Sequence, residues 1–241
     1  MTPGSTLGIA RERIAGAQSL TVLTGAGISA DSGVPTFRGA DGLWRHYRAE
    51  DLATPEAFER DPRLVWEWYN WRREVLATKK PNEAHSALAR MEERTEHFHL
   101  ITQNVDGLHR LAGSQNISEL HGDIWKVRCT SCRLVVENRD VPLALLPHCS
   151  GCGGLLRPHI VWFGEALDAQ VLARSFRATE SCDVMVIVGT SGVVYPAAML
   201  MPSAVANGAF VIEINLDPTP HSSGADISLQ GRAKEIVPLL L

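Results

Sequence analysis

A short apolar run that ends in a glycine-rich turn constrains the fold of this 241-residue chain more than any other feature. Residues 20–24, Leu-Thr-Val-Leu-Thr, are aliphatic or β-branched and predict a buried strand. The sequence Gly-Ala-Gly-Ile-Ser-Ala follows at 25–30. Small residues let a backbone turn tightly, so that its free N–H groups come close to a phosphate. The pattern indicates a nucleotide site, although a glycine turn without a ligand has the same signature.

Four more apolar runs predict strands, at residues 98–102, 116–120, 184–188 and 209–214. Helical patterns lie between several of them, and one begins at Asp61-Pro62, where an N-cap residue precedes a proline at the first helical position. Buried strands that alternate with helices favour a parallel sheet. We therefore predict an α/β fold with a Rossmann-like parallel sheet and helices on both of its faces.

Four of the five cysteines form two C-x-x-C pairs, Cys129 with Cys132 and Cys149 with Cys152, separated by 16 residues. This spacing is typical of a site in which four thiolates bind one zinc ion. Four protein ligands leave no position for a catalytic water, so we expect the zinc to be structural. Disulfides, which are rare in the cytosol, and a thioredoxin-like redox pair are the alternatives. Cys182 lies apart and is expected to be a core thiol.

Two gaps between the predicted strands, roughly 40–80 and 123–157, are too long to be simple crossovers. We expect residues 41–80 to form a helical insert and residues 123–157 a zinc-binding insert, which together make a small domain. The Rossmann-like nucleotide-binding domain then comprises residues 1–40, 81–122 and 158–241. Ligands of open parallel sheets bind beyond the carboxyl ends of the strands. We therefore expect the functional residues to lie where these strands end.

The composition excludes several classes of protein. A net charge of −4 argues against a nucleic-acid binder, which would carry a basic excess. No apolar segment follows a basic start, so we expect no signal peptide. The most apolar stretch, 193–214, is interrupted by Pro196, Pro202, Asn207 and Glu213, so we expect no membrane span. We predict a cytoplasmic monomer that binds neither nucleic acid nor membranes.

The residues after the glycine turn differ from those of an ordinary dehydrogenase. In that class an acidic residue about 20 positions further on ends the second strand and binds the ribose. Here residues 31–39, Asp-Ser-Gly-Val-Pro-Thr-Phe-Arg-Gly, form a polar loop instead. We interpret this loop, with Phe37 and Arg38, as a cover over a reactive part of a nucleotide. That interpretation argues against simple hydride transfer.

The segment 25–39 closely resembles the cofactor loop of the sirtuin family. The resemblance continues in family order over nearly the whole chain. Val105 and Asp217 stand where isoleucine and glutamate are commoner, and we expect neither to abolish activity. The matching motifs are Gln103-Asn104-Val105-Asp106, His121-Gly122, Val161-Trp162-Phe163-Gly164-Glu165, Gly189-Thr190-Ser191 and Asn215-Leu216-Asp217.

The resemblance implies a protein-lysine deacylase that consumes NAD as co-substrate. In this family the carbonyl oxygen of an acyl-lysine attacks the ribose carbon as nicotinamide leaves, and the acyl group ends on ADP-ribose. His121 matches the histidine that acts as general base on a ribose hydroxyl, a role that suits an imidazole. Seven of the other eight histidines are expected to be structural, and His159 is left open. The implied partners are acyl-lysine proteins or peptides.

The NAD contacts are likewise implied by the resemblance. Gln103, Asn104 and Asp106 are expected at the ribose and nicotinamide, where Asn104 and Asp106 hold the carboxamide. Thr190 and Ser191 are expected to meet phosphate or ribose, and Asn215 and Asp217 the adenosine side. The full predicted set is Gly25, Ala26, Gly27, Ser29, Ala30, Pro35, Thr36, Phe37, Arg38, Gln103, Asn104, Asp106, Gly189, Thr190, Ser191, Asn215, Leu216, Asp217 and Ala233.

A helix predicted over the tryptophan-rich residues 66–74 places Tyr69 and Arg72 on one face, three positions apart. A phenol and a guanidinium in apolar surroundings can bind a carboxylate. Arg73, at i+4, fits the spacing equally well, and a packing tyrosine with solvated arginines is the simpler alternative. A resemblance to the class III, desuccinylase-like branch favours Tyr69 and Arg72 as readers of an acyl carboxylate. The same resemblance implies that small Ala53 enlarges the acyl pocket.

The family resemblance implies that the substrate binds as an added strand, held largely through its backbone. By resemblance, the segment that receives it contains Val161, Phe163, Gly164 and Glu165. We expect succinyl- or malonyl-lysine to be preferred over acetyl-lysine. The alternatives are an enzyme of the same fold that mainly deacetylates or transfers ADP-ribose to protein, a zinc-ribbon binding module, and an NAD(P) dehydrogenase.

Overall fold

The computed structural model describes residues 5–35 and 47–241 of the chain. Its main sheet contains β1 Ser19–Thr24, β2 His97–Thr102, β3 Ile117–Glu119, β7 Val184–Val188, β8 Phe210–Asn215 and β9 Ile227–Gln230. All neighbouring pairs are parallel, in the order β3-β2-β1-β7-β8-β9. The five predicted strands are confirmed. The sixth, β9, was not predicted, because Ile-Ser-Leu-Gln is short and half-polar, as suits the edge of a sheet.

Helices cover both faces of this sheet, as predicted. On one face, α1 Thr6–Ala15, α6 Glu83–Arg94 and α10 Ala233–Ile236 share a core with Leu20 and Val22 of β1. On the other face, α8 Ala169–Glu180 and α9 Leu200–Ala206 pack against the side that Leu23 faces. This division follows from the alternation of side chains along a strand. Shorter helical segments are α2 Gly27–Ala30, α7 Leu108–Leu111 and 3-10 turns at Ala197–Met199, Ser222–Gly224 and Val237–Leu240.

A second, smaller sheet is antiparallel, with β4 Gly122–Cys129 between β5 Val135–Glu137 and β6 Leu156–Ile160. Beside it lie α3 Ala49–Leu52, α4 Pro55–Arg60 and α5 Pro62–Ala77. Trp66 and Tyr69 of α5 share a third core with Ile124 and Trp162. The predicted start of α5 is confirmed, because Asp61 accepts from the N–H of Leu64 at 3.0 Å.

The two sheets meet where β3 ends and β4 begins, so the short link through His121 lies at the junction between them. Gly122 pairs with Ile160 at the start of the antiparallel ladder. The predicted fold class is therefore confirmed, whereas the exact domain boundaries stay a prediction. No helix in either described range combines the length and the apolar character that a bilayer crossing needs.

Candidate active site

Three glycines bring the ends of β1 and β7 into contact at the carboxyl edge of the main sheet. The Gly27 N–H donates to the Gly189 carbonyl at 2.8 Å, and the Gly25 N–H donates to the Val188 carbonyl at 3.0 Å. A Cβ on Gly25 or Gly27 would lie 2.7 Å from backbone atoms of Gly189, which itself has a φ of +61°. Residues with a side chain do not fit so close an approach. The edge therefore presents bare backbone, the surface that a pyrophosphate requires.

Asn104 and Asp106, which follow β2, are fastened to this glycine turn. Asn104 Nδ2 donates to the Gly25 carbonyl at 3.0 Å, and Ser29 Oγ donates to the Asp106 carboxylate at 2.8 Å. The other oxygen of Asp106 accepts from the Leu108 N–H at 2.9 Å. Burial raises the pKa of Asp106, and the two hydrogen bonds oppose that rise. The predicted nicotinamide-side residues thus form one fixed cluster.

A second cluster connects the ends of β2, β7 and β8 with His121. Gln103 Nε2 donates to Thr190 Oγ1 at 2.8 Å, and Asn215 Nδ2 donates to the Thr190 carbonyl at 3.1 Å. His121 Nδ1 lies 2.9 Å from the Gln103 carbonyl. One path of hydrogen bonds therefore runs along the carboxyl edge from His121 to Asn215.

The bond to Gln103 fixes the tautomer of His121. A carbonyl oxygen can only accept, so Nδ1 carries the proton and Nε2 keeps a free lone pair. Burial lowers the pKa of His121, and the bond to the Gln103 carbonyl partly opposes the lowering. The imidazole is therefore neutral at neutral pH, with a basic nitrogen on the side away from Gln103. This is the state that a general base requires.

Three consecutive residues of the predicted substrate segment each donate a hydrogen bond to another predicted site residue. The first and third donate through their backbone N–H groups, and the second donates through its indole. These bonds hold the segment against the candidate base, His121, and against two residues of the candidate acyl pocket, Tyr69 and Ala53. The bonds run from Val161 to the His121 carbonyl, from Trp162 to the Tyr69 hydroxyl and from Phe163 to the Ala53 carbonyl, at 2.9, 2.8 and 2.9 Å.

Tyr69 and Arg72 lie together, as the helical spacing predicts. The Arg72 guanidinium lies over the rings of Trp68 and Tyr69, 5.0 and 5.6 Å from their centroids, and it also hydrogen-bonds Tyr69. Burial lowers the pKa of Arg72, and Tyr69 opposes the fall. Burial raises the pKa of the Tyr69 phenol. The pair thus places a cation beside a neutral hydroxyl, and the charges of Asp106, Arg157 and Glu165 also act on it.

Arg73 has a different role. Its side chain is buried and donates to the carbonyls of Ile124, Asn138 and Asp140 at 2.7, 2.6 and 3.1 Å. A further bond reaches the Asn138 side chain at 2.7 Å. Arg73 therefore ties α5 to β4 and to the segment that follows β5, and both of its terminal nitrogens are bonded within the protein.

The carboxylate of Glu165 is also occupied within the protein. Arg157 donates to its two oxygens at 2.6 and 2.9 Å, and Arg128 donates at 2.9 Å. The Trp162 N–H adds a fourth bond at 2.8 Å. These contacts lower the pKa of Glu165 against the effect of its burial, which raises it. Glu165 thus holds the substrate segment in place, and a direct contact with substrate stays a prediction.

The four cysteines of the two C-x-x-C pairs are positioned to bind a zinc ion. Their sulfur atoms all lie within 4.8 Å of one another, with 3.5 Å between Cys129 and Cys152 and 3.7 Å between Cys132 and Cys149. Four ligands at about 2.3 Å in a tetrahedron would be about 3.8 Å apart, whereas a disulfide needs about 2.05 Å. Cys129 accepts from the N–H groups of Ser131 and Cys132, which suits a thiolate. Cys182 is buried, as predicted for a core thiol.

The other predicted NAD-side residues lie along the same edge or outside the described residues. Asp31 pairs with Arg232 at 3.3 Å and with Lys234 at 3.7 Å, and these bonds bring the buried Ala233 close to α2. Gly164 has a φ of +85°, with open space where a Cβ would be. Thr36, Phe37 and Arg38 lie outside the described residues. The remaining residues are half-buried or exposed, namely Ala26, Ala30, Pro35, Ser191, Leu216 and Asp217.

Sequence reasoning missed three residues that take part in these clusters. His85 Nε2 lies 3.3 Å from Ser29 Oγ, although the residue was assigned a structural role. Trp162 lies within the motif at residues 161–165, and that position is the signal in the sequence for its bond to Tyr69. Glu213 accepts from Asn215 Nδ2 at 3.1 Å, whereas the sequence marks it only as a polar interruption of an apolar stretch. His159, left open, is half-buried on β6, and its buried Nδ1 has no hydrogen-bond partner among the described residues.

This chain is similar in sequence to known proteins over most of its length. A model of the Sir2 family matches residues 25–196. An NAD-dependent protein deacylase of Aquifex aeolicus is 54% identical, over 89% of this chain and 90% of its own length. The NAD-dependent protein deacylase sirtuin-5, mitochondrial, of Xenopus tropicalis is 47% identical, over 98% of this chain and 85% of its own length.

Solved structures extend the likeness to the fold. A Sir2 homologue in complex with NAD has a TM-score of 0.90 at 50% identity, with 95% of this chain and 90% of that one covered. A Sir2 complex with a p53 peptide and NAD+ has a TM-score of 0.85 at 31% identity, with 98% and 96% covered. The family match spans most of the chain, and these identities extend over almost all of it. The chain belongs to the Sir2 family.

Proposed function

We propose that this protein is an NAD-dependent protein-lysine deacylase that removes succinyl and malonyl groups in preference to acetyl groups. The observation that carries the proposal is the set of three hydrogen bonds from residues 161–163 to His121, Tyr69 and Ala53. These bonds connect a candidate base, a candidate carboxylate reader and a segment suited to backbone recognition. The deacylase relatives and the Sir2 complex with NAD support the general activity.

When bound, NAD would supply the ribose carbon that nicotinamide leaves and that takes the acyl oxygen. The overall reaction consumes one water, and its products are free lysine, nicotinamide and O-acyl-ADP-ribose. His121 acts as general base and accepts the proton of a ribose hydroxyl at Nε2. Such a base contributes about 10²–10⁴ in rate. Asn104 and Asp106 hold the carboxamide, and the glycine turn receives the pyrophosphate.

Acyl selectivity is assigned to Arg72, Tyr69 and Ala53. Arg72 donates to the terminal carboxylate of a succinyl or malonyl group, and Tyr69 supports it. A hydrogen bond to a charged group is worth roughly 1.5–3 kcal/mol, which corresponds to about a ten- to hundred-fold preference. An acetyl group lacks this carboxylate and gains none of that energy. Ala53 leaves room for the longer acyl chain.

The remaining assignments follow the same proposal. We assign the substrate backbone to Val161, Phe163 and Gly164. A cytoplasmic monomer acting on acyl-lysine proteins is the setting that we propose, with residues 41–80 and 123–157 as the small domain. The net charge of −4 supports the absence of a nucleic-acid partner.

A competition assay tests the proposed selectivity. Peptides of one sequence, carrying succinyl-, malonyl- or acetyl-lysine at the same position, are incubated with enzyme and NAD and followed by mass spectrometry. We expect kcat/KM for the acidic acyl groups to exceed that for acetyl by about ten-fold or more. Equal values would overturn the proposed selectivity, and reversed values would identify an enzyme that mainly deacetylates. ADP-ribose attached to protein, or an absorbance change at the nicotinamide band, would identify one of the other enzyme classes.

A further inference from the structure

A buried carboxylate, that of Glu213, lies near the carboxyl end of β8 and is not explained by the proposed chemistry. The residue is only 4% exposed. Thr219 Oγ1 and Asn215 Nδ2 donate to its Oε1 at 2.7 and 3.1 Å, and Ser228 Oγ donates to its Oε2 at 3.1 Å. Within residues 5–35 and 47–241, no basic group forms an ion pair with it.

The strand register explains why these donors surround Glu213. Parallel pairing of β8 with β9 sets Glu213 beside Ser228. Side chains alternate along a strand, so Glu213 and Asn215 project from the same face of β8. Thr219 returns to this face from the loop that follows the strand. Three separate segments therefore meet at one carboxylate.

A buried carboxylate without a cation is unfavourable unless hydrogen bonds replace its hydration. The three donors replace the hydration of the carboxylate, and their bonds to it fix the orientation of the donor side chains. An apolar side chain at position 213 would suit the core of the sheet equally well, but it could not orient polar groups. The useful consequence of Glu213 is therefore the order that it imposes on its donors.

Asn215 is the donor that leads from Glu213 to the candidate active site. Its Nδ2 is shared between Glu213 Oε1 and the Thr190 carbonyl, at 3.1 Å in each case. With both hydrogens of the side-chain amide directed inward, Asn215 Oδ1 is the atom of that amide left to accept from a ligand. Thr190 in turn accepts from Gln103. Glu213 thus stands at the far end of the path that begins at His121.

Thr219 carries the effect of Glu213 into the loop 216–222. Its N–H donates to Ser222 Oγ at 2.7 Å, and its Oγ1 accepts from the His221 N–H at 3.2 Å. Glu213 lines two narrow clefts, one shared with Gln103 and Thr190 and the other with Asn215. The carboxylate therefore separates and supports two concave surfaces at the same edge.

We propose that Glu213 is a positioning residue for the adenosine half of NAD. It orients the side-chain amide of Asn215 so that Oδ1 accepts from a ribose hydroxyl, and it holds the loop 216–222 through Thr219. This inference rests on the proposed function, which puts NAD at this edge. Glu213 touches no reacting atom, so it governs the affinity for NAD and leaves the chemical step unchanged.

Glu213→Gln tests this role, because it keeps the size of the side chain and replaces one acceptor oxygen with a donor. We expect KM for NAD to rise about five- to ten-fold, while kcat and KM for the peptide stay within about two-fold. Calorimetric titration without peptide should show the same loss of affinity for NAD and for ADP-ribose, which lacks nicotinamide. Inhibition by free nicotinamide should be unchanged.

Glu92→Gln is the matched control. Glu92 also anchors a loop, accepting from the N–H groups of Gln115 and Asn116 at 3.0 and 2.7 Å, but it lies at the opposite edge of the sheet. Its replacement should leave both the affinity and KM for NAD at wild-type values. An equal loss in the two variants would reveal a general structural effect and would overturn the inference, as would wild-type NAD affinity in Glu213→Gln.

Two further experiments keep the inference about Glu213 testable if the proposed function fails or if the variant does not fold. If the wild-type enzyme deacylates nothing, the proposed function fails, yet calorimetry with NAD and ADP-ribose still decides the role of Glu213. If Glu213→Gln does not fold, Thr219→Val removes the shortest of the three bonds and takes its place. The inference predicts weaker NAD binding in that variant, with kcat unchanged. Unaltered NAD binding would overturn it.

Discussion

Arg72 and Arg73 are neighbours in α5, yet their guanidinium groups lie in different surroundings. Arg72 lies over the rings of Trp68 and Tyr69. Arg73 instead donates to carbonyls of the segment after β5. Helical spacing alone allowed either arginine to accompany Tyr69. The resemblance to the desuccinylase-like branch favours Arg72, and in the structure the segment after β5 accounts for the different position of Arg73.

The substitution Arg72→Met should change acyl selectivity. It removes the cation and preserves much of the apolar contact with Trp68 and Tyr69. We expect kcat/KM for a succinyl-lysine peptide to fall about ten- to hundred-fold, and that for the acetyl peptide to change by less than about three-fold. Arg63→Met, at an exposed position of the same helix, should affect neither. Equal losses on both peptides would remove Arg72 from the acyl site.

His121 should set the acidic limit of activity. Burial lowers its pKa from the ordinary value of 6.5, so its neutral, basic form persists to lower pH. The acidic limb of the profile of kcat/KM against pH, which reports the free enzyme, should therefore have its midpoint below 6.5. His121→Ala should abolish turnover across the range. A midpoint above 6.5 in the wild type would contradict the assigned environment.

At the scale of elements, α5 depends on the cysteine-bearing segment. The four bonds of Arg73 join the helix to Ile124, Asn138 and Asp140, close to the strand that ends at Cys129. The four cysteines and the candidate acyl-binding residues Tyr69 and Arg72 lie in segments that pack around the small antiparallel sheet. Loss of zinc should therefore disturb α5 as well as the cysteine loops.

Cys152→Ala should lose the zinc ion, which elemental analysis would measure as a fall from one ion per chain towards none. Structural zinc contributes on the order of 10 kcal/mol to its local fold, so the melting temperature should fall. Succinyl- and acetyl-lysine activities should decline together, because α5 loses its support. Cys182→Ala should keep its zinc. Full activity in a zinc-free sample would show that the module is not needed.

The sequence predicted the elements that carry a strong local pattern. The strand runs, the start of α5 and the C-x-x-C pairs all depend on neighbours within a few residues. The formation of β9 and the hydrogen bonds that hold the Arg73 side chain depend on parts of the chain that are distant in sequence. The same holds for His85, whose partner Ser29 is 56 positions distant. Such contacts arise only when the sheet assembles, so no local pattern reports them.

At the scale of the whole molecule, buried histidines connect stability with pH. Burial lowers the pKa of His85 and His99 to about 4 and that of His109 well below 6.5. In the unfolded chain these groups take up protons near pH 6.5, whereas the folded protein resists protonation until about pH 4. The contribution of these histidines to the free energy of unfolding is therefore fully present above about pH 6.5 and is lost as the pH falls towards 4. Asp106 and Asp123, whose pKa values burial raises, partly oppose this trend.

Urea unfolding at pH 7, 6 and 5 should thus give a falling free energy of unfolding. The slope below pH 6.5 is up to about 1.4 kcal/mol per pH unit for each histidine. His99→Gln should reduce the slope by the share of one group. His97→Gln, at an exposed position, should leave it unchanged. A free energy of unfolding that stays constant from pH 7 to pH 5 would refute the assignment.

The most direct test of the account is a product balance on one succinyl-lysine peptide incubated with zinc-loaded enzyme and NAD. The proposed pocket predicts nicotinamide, free lysine peptide and O-succinyl-ADP-ribose in equal amounts by mass spectrometry, and none of them with His121→Ala. A folded, zinc-loaded sample that leaves NAD intact with every acylated peptide offered would contradict it.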